Sequence, residues 1–427
     1  MKNNIQAVIM AGGKGTRISS INSEVPKPMI KLLDKPILEY EIESLKRQGI
    51  NDITLVIGYL GSQIKDYFGN GSNFGVNISY IEEKEPLGTA GALFYLKNKI
   101  KDDFLLLNGD TLFDINIEKF YLAHKKNNCL VTILTHPNSH PYDSGVIVTD
   151  SNNKITKWMT KEEERKWYKN RVNAGIHFIS YKLLSRFNEV KKTDLDRDIL
   201  KPLINEKELF VYDTPEYIMD MGTPERYYQV IDDIKNDVPK KRNLSNKQKA
   251  IFLDRDGTIN RYVGFLRNID DFELLPDVAQ AIKLIHHNNY LTIVVTNQPV
   301  IARGEVTYKE LDEIHNKMET LLGMEGAYLD GIYFCPHHPD SGFVGEIKEL
   351  KFDCECRKPK PGMILQAAND FNIDLTKSWI VGDSDIDIEC GINAKVKTCL
   401  INNKENKVHP NLICDNLLDA VKKIIHY

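Results

Sequence analysis

The sequence has no apolar run near the roughly 20 residues that a helix needs to cross a bilayer, so no membrane partner is expected. Charge of one sign is also lacking. Lys and Arg number 56 against 60 Asp and Glu, a net charge of −4, which argues against nonspecific binding to nucleic acid or a lipid surface. There is no internal repeat and no long low-complexity segment. Cysteine is sparse, seven in 427 residues. Three cluster with a histidine, and Cys129, Cys390, Cys399 and Cys414 are scattered, as buried thiols in a reducing compartment would be. The opening MKNNIQAVIM turns at once into a strand pattern and lacks signal-peptide architecture. A cytoplasmic location is the resulting expectation.

What remains is an ordinary globular composition, 42% hydrophobic and 27% charged. The length is too great for one core and comfortable for two α/β domains. In the first half, short β-rich runs (ITLVIGY, DDFLLLNGD, LVTILTH, GVIVTD, AGIHFIS) alternate with amphipathic stretches, which predicts a mainly parallel sheet covered by helices. The stretch from Asp233 to Lys249 is polar, lysine-rich and interrupted by Pro239, and reads as a helix end followed by a linker. A second alternation starts at Ala250 with AIFLD, LTIVVTN, GIYFC, SWIVGD and KTCLI. The expected division is a domain over 1–235, a linker over 236–249 and a domain over 250–427. The charged piece Thr160 to Arg171 reads as a solvated loop or helix.

Two phosphate-handling signatures follow apolar runs. After Ala7–Met10 comes AGGKGTR, in which Gly12, Gly13 and Gly15 let backbone N–H groups approach phosphate oxygens without Cβ interference. Arg17 and Lys27 add positive charge. A glycine-rich turn alone is weak evidence, but four further pieces follow. EPLGTAGA offers Gly88 and Thr89 at a turn. LLLNGD sets Asp110 at a strand's C-terminal end, where α/β folds bind ligands. NAG supplies Asn173 and Gly175, and DMGTP supplies Asp220 before a helix. Either aspartate alone would read as a cap or turn residue; two at strand ends in such a site point to a divalent metal pair.

This series, over nearly all of residues 5–230, resembles the sugar-1-phosphate nucleotidyltransferases. The resemblance implies that Ala11, Gly12, Gly13, Gly15 and Thr16 hold the nucleotide with Gly88 and Thr89, and that Arg17 and Lys27 serve the triphosphate. It implies Mg²⁺ on Asp110 and Asp220, and Gly145, Lys161, Asn173 and Gly175 near the sugar phosphate. A sugar-phosphate oxygen would attack the α-phosphorus, with rate supplied by positioning and charge neutralisation. Where many members have Glu-Lys-Pro, this chain has Thr160, Lys161 and Glu162, so the commonest hexose is not expected. The subgroup it resembles most is the heptose-1-phosphate guanylyltransferases, with the mannose-1-phosphate guanylyltransferases close behind.

The second signature is DRDGT after Ala250–Leu253. Asp254 can attack phosphorus, while Asp256 can give a proton to the leaving oxygen and later activate water. Thr296 ends the next apolar run, Lys358 in CRKPKPGM can neutralise an aspartyl-phosphate, and Asp383 ends another run where it can hold Mg²⁺ beside Asp254. Asp387 either orients this cluster or is a plain helix residue. In order, these are the four motifs of the haloacid dehalogenase superfamily, which the second half resembles. Only 39 residues lie between Asp256 and Thr296, so no large cap is expected there. Cys335, His337, Cys354 and Cys356 form two short ligand pairs suited to a closed, structural Zn²⁺ site; His338 is a rival ligand.

Over residues 250 to about 405 the shared stretches FLDRDGTIN, VVTNQ, IARG, the cysteine loop and CRKPKPGM resemble the heptose-1,7-bisphosphate 7-phosphatases. The histidinol-phosphate phosphatases are the nearest rival. The resemblance implies Mg²⁺ on Asp254, Asp256 and Asp383, and substrate contacts from Asn297, Arg303 and Arg357. Pro299 and Val300 replace the usual Ser-Gly after TNQ. The whole reads as two Rossmann-like α/β domains, a nucleotidyltransferase and a phosphatase with a zinc loop. Together they would make GDP-heptose for surface glycans from nucleoside triphosphate and sugar phosphates. Alternatives are the same reactions on another sugar or nucleotide, or an inactive regulatory subunit; the latter predicts loss of Arg17, Lys27, Asp110 or Asp220, all of which are present. A homo-oligomer stays open.

Overall fold

A computed structural model describes residues 5–13, 24–402 and 407–427. The chain forms two compact units. One comprises residues 1–136, 147–158 and 173–243; the other comprises 137–146, 159–172 and 244–427. The expected boundaries at 235 and 250 take no account of the two excursions, 137–146 and 159–172, that belong with the second unit. In the stretch expected as linker, Val238–Arg242 is a short helix.

The first unit is built on a nine-stranded mixed sheet. Gln6–Met10 lies at its centre, parallel to Asp52–Ile57 on one side and to Phe104–Asn108 on the other. Val172–Ile179 then runs antiparallel to Phe104–Asn108, so the sheet is not wholly parallel. The alternation of a strand buried on both faces is visible residue by residue. Ala7 and Ile9 pack in one core with Leu105 and Leu107, and Val8 packs in the other with Phe104 and Leu106. Each large apolar side chain so buried contributes about 1.5–3 kcal/mol.

The second unit holds a six-stranded parallel sheet in the order Gly331–Cys335, Leu291–Asn297, Ala250–Leu253, Trp379–Gly382, Lys397–Ile401, Leu412–Cys414. Ile251 and Leu253 face one core, Ala250 and Phe252 the other. In both units the first strand lies between neighbours reached in opposite directions. A crevice opens beyond the carboxyl ends of the strands at such a switch point, and the sequence places its glycine-rich turn and its Asp-x-Asp pair there.

The charged piece Thr160–Arg171 forms turns and no helix, and its last residues are not solvated: Asn170 and Arg171 are buried. The Asn170 amide donates to Asn138 O at 2.7 Å and accepts from Asn138 N at 3.0 Å. The Arg171 guanidinium donates to Glu319 at 3.1 Å, with both side chains buried, and Tyr168 N donates to Thr320 Oγ1 at 2.9 Å. Both excursions are thereby fixed within the second unit, on the helix Tyr308–Met324. Among the described residues, no helix is long and apolar enough to cross a membrane.

Candidate active sites

In the first unit, strand ends surround a cavity of about 650 Å³. Its lining includes Gly12 and Gly13 from the turn after the first strand, Gly88 and Thr89, and Asn108 and Asp110. Gly88 has φ +80°, and a Cβ there would lie 2.5 Å from Thr193 O. Ala90 N donates to that same oxygen, and Thr193 N donates to Leu87 O, so only glycine closes this loop onto its neighbour. Lys14, Gly15, Thr16 and Arg17 lie outside the described residues.

Strand pairing brings the backbone of the two aspartates together. Tyr217–Asp220 runs antiparallel to Thr111–Asp114 with Asp220 opposite Thr111, and Met221 N donates to Asp110 O at 3.1 Å. Lys27 forms an ion pair with Asp110. Arg226 Nη1 reaches both oxygens of Asp220 at 2.9 Å. Burial opposes the charge of Asp220, but Arg226, the amide of Gly222 and Lys27 outweigh it and hold its carboxyl below the usual range. Two aspartates at neighbouring strand ends offer the hard oxygen donors that suit Mg²⁺.

Asn173 Oδ1 accepts from Gly175 N at 3.0 Å, and Gly175 leaves room for the Asn108 side chain. Gly145 and Lys161 fall in the excursions of the second unit, and neither lines the cavity. Sequence reasoning missed Glu83. It lines the cavity beside Gly12, its Oε1 is buried without a partner, and burial raises its carboxyl. No motif marks it among neighbouring Glu82 and Glu85.

In the second unit, Asp254 follows the central strand, Thr296 and Asn297 end one neighbour, and Asp383 follows the other. Lys358 Nζ bridges Asp254 Oδ1 at 2.7 Å and Asp387 Oδ1 at 2.6 Å, all three groups being buried. Burial works against the charge of Lys358, yet its two carboxylate partners raise its pKa. Burial also pushes Asp254 up, with Lys358 pulling it back toward the ionised form. The two readings of Asp387 are both realised. It completes the cap of the helix Asp385–Ala394, accepting from Ser384 N and Oγ, and it also pairs with Lys358.

Carboxylate oxygens of Asp254, Asp383 and Asp387 lie within 4.8 Å of one another, a hard donor set that fits Mg²⁺. Gly257, at φ +88°, makes room for this: a Cβ would sit 2.4 Å from Asp383 Oδ2. The Asp256 carboxylate is not in that group. It accepts from Arg255 Nη2 at 2.8 Å, Gln298 Nε2 at 2.9 Å and Asn260 Nδ2 at 3.0 Å. Burial opposes its ionisation, but Arg255 and these hydrogen bonds prevail and hold it below the usual range. Thr296 Oγ1 accepts from Gln298. The Asn297 amide holds the main chain of Lys358 with two bonds of 3.0 Å. Arg303 lies between the rings of Phe265 and Phe343, and Arg357 Nη1 donates to His337 O at 3.3 Å.

Cys335, His337, Cys354 and Cys356 converge. Sulfur atoms lie 3.2–3.4 Å apart, and His337 Nδ1 is 3.2 Å from Cys356 Sγ. Three sulfurs and one imidazole grouped together, with no fifth such donor among the described residues, fit a closed Zn²⁺ site. His338 is turned away and accepts from Asp340 N at 3.1 Å.

An aspartate at the switch point of a parallel sheet, faced by a buried lysine and further carboxylates, defines a haloacid dehalogenase-type phosphatase fold; the glycine-lined cavity of the first unit is that of a nucleotidyltransferase. The nucleotidyl transferase family model matches residues 6–237, and a HAD-hydrolase-like model matches 355–420. The D-glycero-beta-D-manno-heptose-1,7-bisphosphate 7-phosphatase of Yersinia pestis is 44% identical over 155 residues, 36% of this chain and 80% of that protein. Its counterpart from Haemophilus influenzae is 45% identical over 149 residues, 35% of this chain and 78% of that protein. A crystal structure of HddC from Yersinia pseudotuberculosis complexed with GMP-PN aligns over 54% of this chain and 99% of its own, at 26% identity and a TM-score of 0.47. The chain belongs to the nucleotidyl transferase family through its first half and to the family of these phosphatases through its second, and it is a bifunctional enzyme.

Proposed function

We propose that the chain carries out consecutive steps in making a nucleotide-activated heptose. The phosphatase removes the 7-phosphate of D-glycero-D-manno-heptose 1,7-bisphosphate. The transferase then joins GMP from GTP to the heptose 1-phosphate, giving GDP-heptose and pyrophosphate. The observation that carries this reading is the pairing itself: a nucleotidyl transferase half joined to a half 44% identical to a heptose bisphosphate 7-phosphatase. Hydrolysis at C7 leaves the anomeric phosphate, the nucleophile that a sugar nucleotidyltransferase needs. Glu83 supports guanine. A carboxylate in the cavity wall matches the adjacent N1–H and N2–H donors of that base, and offers no donor to a base that presents acceptors.

In hydrolysis, an Asp254 oxygen attacks phosphorus and the bond to the sugar oxygen breaks; Asp256, held ionised in the unliganded site by Arg255 and its hydrogen bonds, takes up a proton from solvent as substrate binds and passes it to that oxygen. Water then attacks the aspartyl-phosphate, Asp256 takes its proton, and Asp254 is freed with release of phosphate. Lys358 holds Asp254 in place and offsets charge. Asp254 and Asp383 would hold a Mg²⁺, which when bound would supply positive charge to the phosphate oxygens. In transfer, an oxygen of the sugar phosphate attacks the α-phosphorus and pyrophosphate leaves. Lys27 offsets triphosphate charge, and Asp110 and Asp220 would hold a Mg²⁺.

The test is heptose 1,7-bisphosphate with GTP, beside a panel of other nucleoside triphosphates. Intact protein is expected to yield GDP-heptose. Asp254→Asn is expected to yield none until heptose 1-phosphate is supplied directly. A 7-phosphorylated GDP-sugar that accumulates instead would reverse the order. Metal analysis is expected to find one equivalent of zinc, lost in Cys356→Ser, while hydrolysis still needs added Mg²⁺; zinc-free active protein would overturn the Cys₃His assignment.

A further inference from the structure

Arg255 is an unusual residue to find where it is. It lies between the two aspartates of the phosphatase motif, and it is fully buried. A buried guanidinium has five donors to satisfy and no water to satisfy them. Nη2 donates to both oxygens of Asp256, at 3.0 and 2.8 Å, and to Gln298 Oε1 at 3.0 Å. On the far side Nη1 meets His315 Nε2 at 3.2 Å. Arg255 can only donate, so Nε2 accepts and the imidazole is neutral, with its proton on Nδ1. Burial first, and the Arg255 charge second, favour that state, lowering the pKa of His315 to about 3.

His315 sits mid-way along the helix Tyr308–Met324, about 60 residues from the motif, with its ring 5.7 Å from that of Phe334. One turn further on, Glu319 and Thr320 tie the same helix to Arg171 and Tyr168. The imidazole is therefore a fixed acceptor behind a mobile type of side chain. Without it, the guanidinium has one buried group unsatisfied and can rotate away from Asp256 to find a partner. Gln298 makes the arrangement two-sided, donating to Asp256 Oδ2 at 2.9 Å and to Thr296 Oγ1 at 2.9 Å while accepting from Arg255.

We propose that His315, acting through Arg255, is a positioning residue for the general acid and base of the phosphatase: it fixes the Asp256 carboxyl at the angle from which its proton reaches the departing sugar oxygen. The inference rests on the role of Asp256 in the reading above. A sugar alkoxide is a poor leaving group and needs that proton. An aryl phosphate such as p-nitrophenyl phosphate releases a stable phenolate and does not. Damage to proton delivery therefore separates the two substrates, whereas general damage to the fold or to phosphate binding does not.

The experiment measures kcat/KM, which reads the steps through departure of the leaving group, for heptose 1,7-bisphosphate and p-nitrophenyl phosphate in full-length variants. His315→Leu is expected to lose about 100-fold on the sugar phosphate, within the range for general acid catalysis, and only a few-fold on the aryl phosphate. His315→Gln keeps an acceptor and is expected to restore most of the loss. Circular dichroism and denaturant unfolding of the second unit serve as the folding control. If His315→Leu does not fold, His315→Phe, which matches the ring and packs on Phe334, is read in the same way. Equal losses on both substrates, no loss, or no restoration by glutamine would overturn the proposal. Asp256→Asn separates the two readings: if it too strikes both substrates equally, the acid role of Asp256 has failed, and a wild-type chain that hydrolyses neither substrate would remove the phosphatase reading itself.

Discussion

In the second unit a lysine is enclosed between two buried carboxylates, and both partners lie closer than 3 Å. In the first unit Lys27 also pairs with an aspartate, but at the wall of an open cavity of about 650 Å³ lined by glycine backbone. The difference follows the size of what reacts. A single phosphoryl group moving onto an aspartate needs a small, rigid nest, so the protein encloses the attacking carboxylate and fixes it with a buried lysine. A nucleotide with a sugar phosphate needs room, and much of the balancing charge arrives with the substrates. In one site the attacking side chain is fixed by its neighbours before the ligand binds; the other is a frame.

The sharpest way to break this comparison is to remove one carboxylate from each site. Asp254→Asn removes the attacking oxygen, and hydrolysis is expected to fall by about 10⁴-fold or more, while pyrophosphate release from GTP and heptose 1-phosphate persists. Asp110→Asn is expected to do the reverse. Loss of both reactions from either change, in protein that remains folded by circular dichroism, would end the picture of two independent sites.

A smaller effect probes the rigidity of the second unit. Arg171 and Glu319 are buried together, with side chains 7% and 2% exposed, and a buried charge left without its partner costs about 3–5 kcal/mol. Arg171→Met is expected to lower the stability of the second unit by an amount of that order, measured by denaturant unfolding. Arg171→Met with Glu319→Leu is expected to recover most of it. An additive double mutant would show that the pair contributes nothing through its contact.

The smallest effect belongs to the open site. Glu83→Gln swaps one acceptor oxygen for a donor and is expected to weaken the preference for GTP by roughly 10- to 100-fold, the scale of one or two charge-assisted hydrogen bonds. Competition assays among nucleoside triphosphates read this directly. An unchanged preference would move base recognition away from Glu83 and onto the backbone of the Gly88 loop.

How far these sites were legible in the sequence depended on where their residues sit. Asp254, Thr296 and Asp383 each end an apolar run, and a buried parallel strand is the clearest pattern a sequence can carry; its end is where chemistry is expected. Lys358 and the cysteine loop were legible through their own short spacing. Arg255 stood in the motif in plain view, yet nothing local says that its partner is a histidine on a helix 60 residues on. Glu83 has acidic neighbours, and only the turn of the chain aims one of them inward. Asp387 read equally as an orienting group or a plain helix residue because, with two oxygens and a place in the first helical turn, it caps its own helix and also pairs with Lys358. The excursions 137–146 and 159–172 were illegible for another reason. The hydrophilic composition of Thr160–Arg171 suggested solvent, but Asn170 and Arg171 are buried and hydrogen-bonded, as is Asn138 in the other excursion.

Those excursions carry a consequence for biosynthesis. A ribosome emits the chain from its N-terminus, and domains tend to fold as they emerge. The second unit cannot do so in one piece: Asn138, Asn170 and Arg171 are made long before Glu319 and Thr320, which complete their surroundings. For the time it takes to translate some 150 residues, on the order of ten seconds or more at typical rates, the nascent protein holds polar groups whose partners do not yet exist. A gene cut at residue 243 would make that wait permanent.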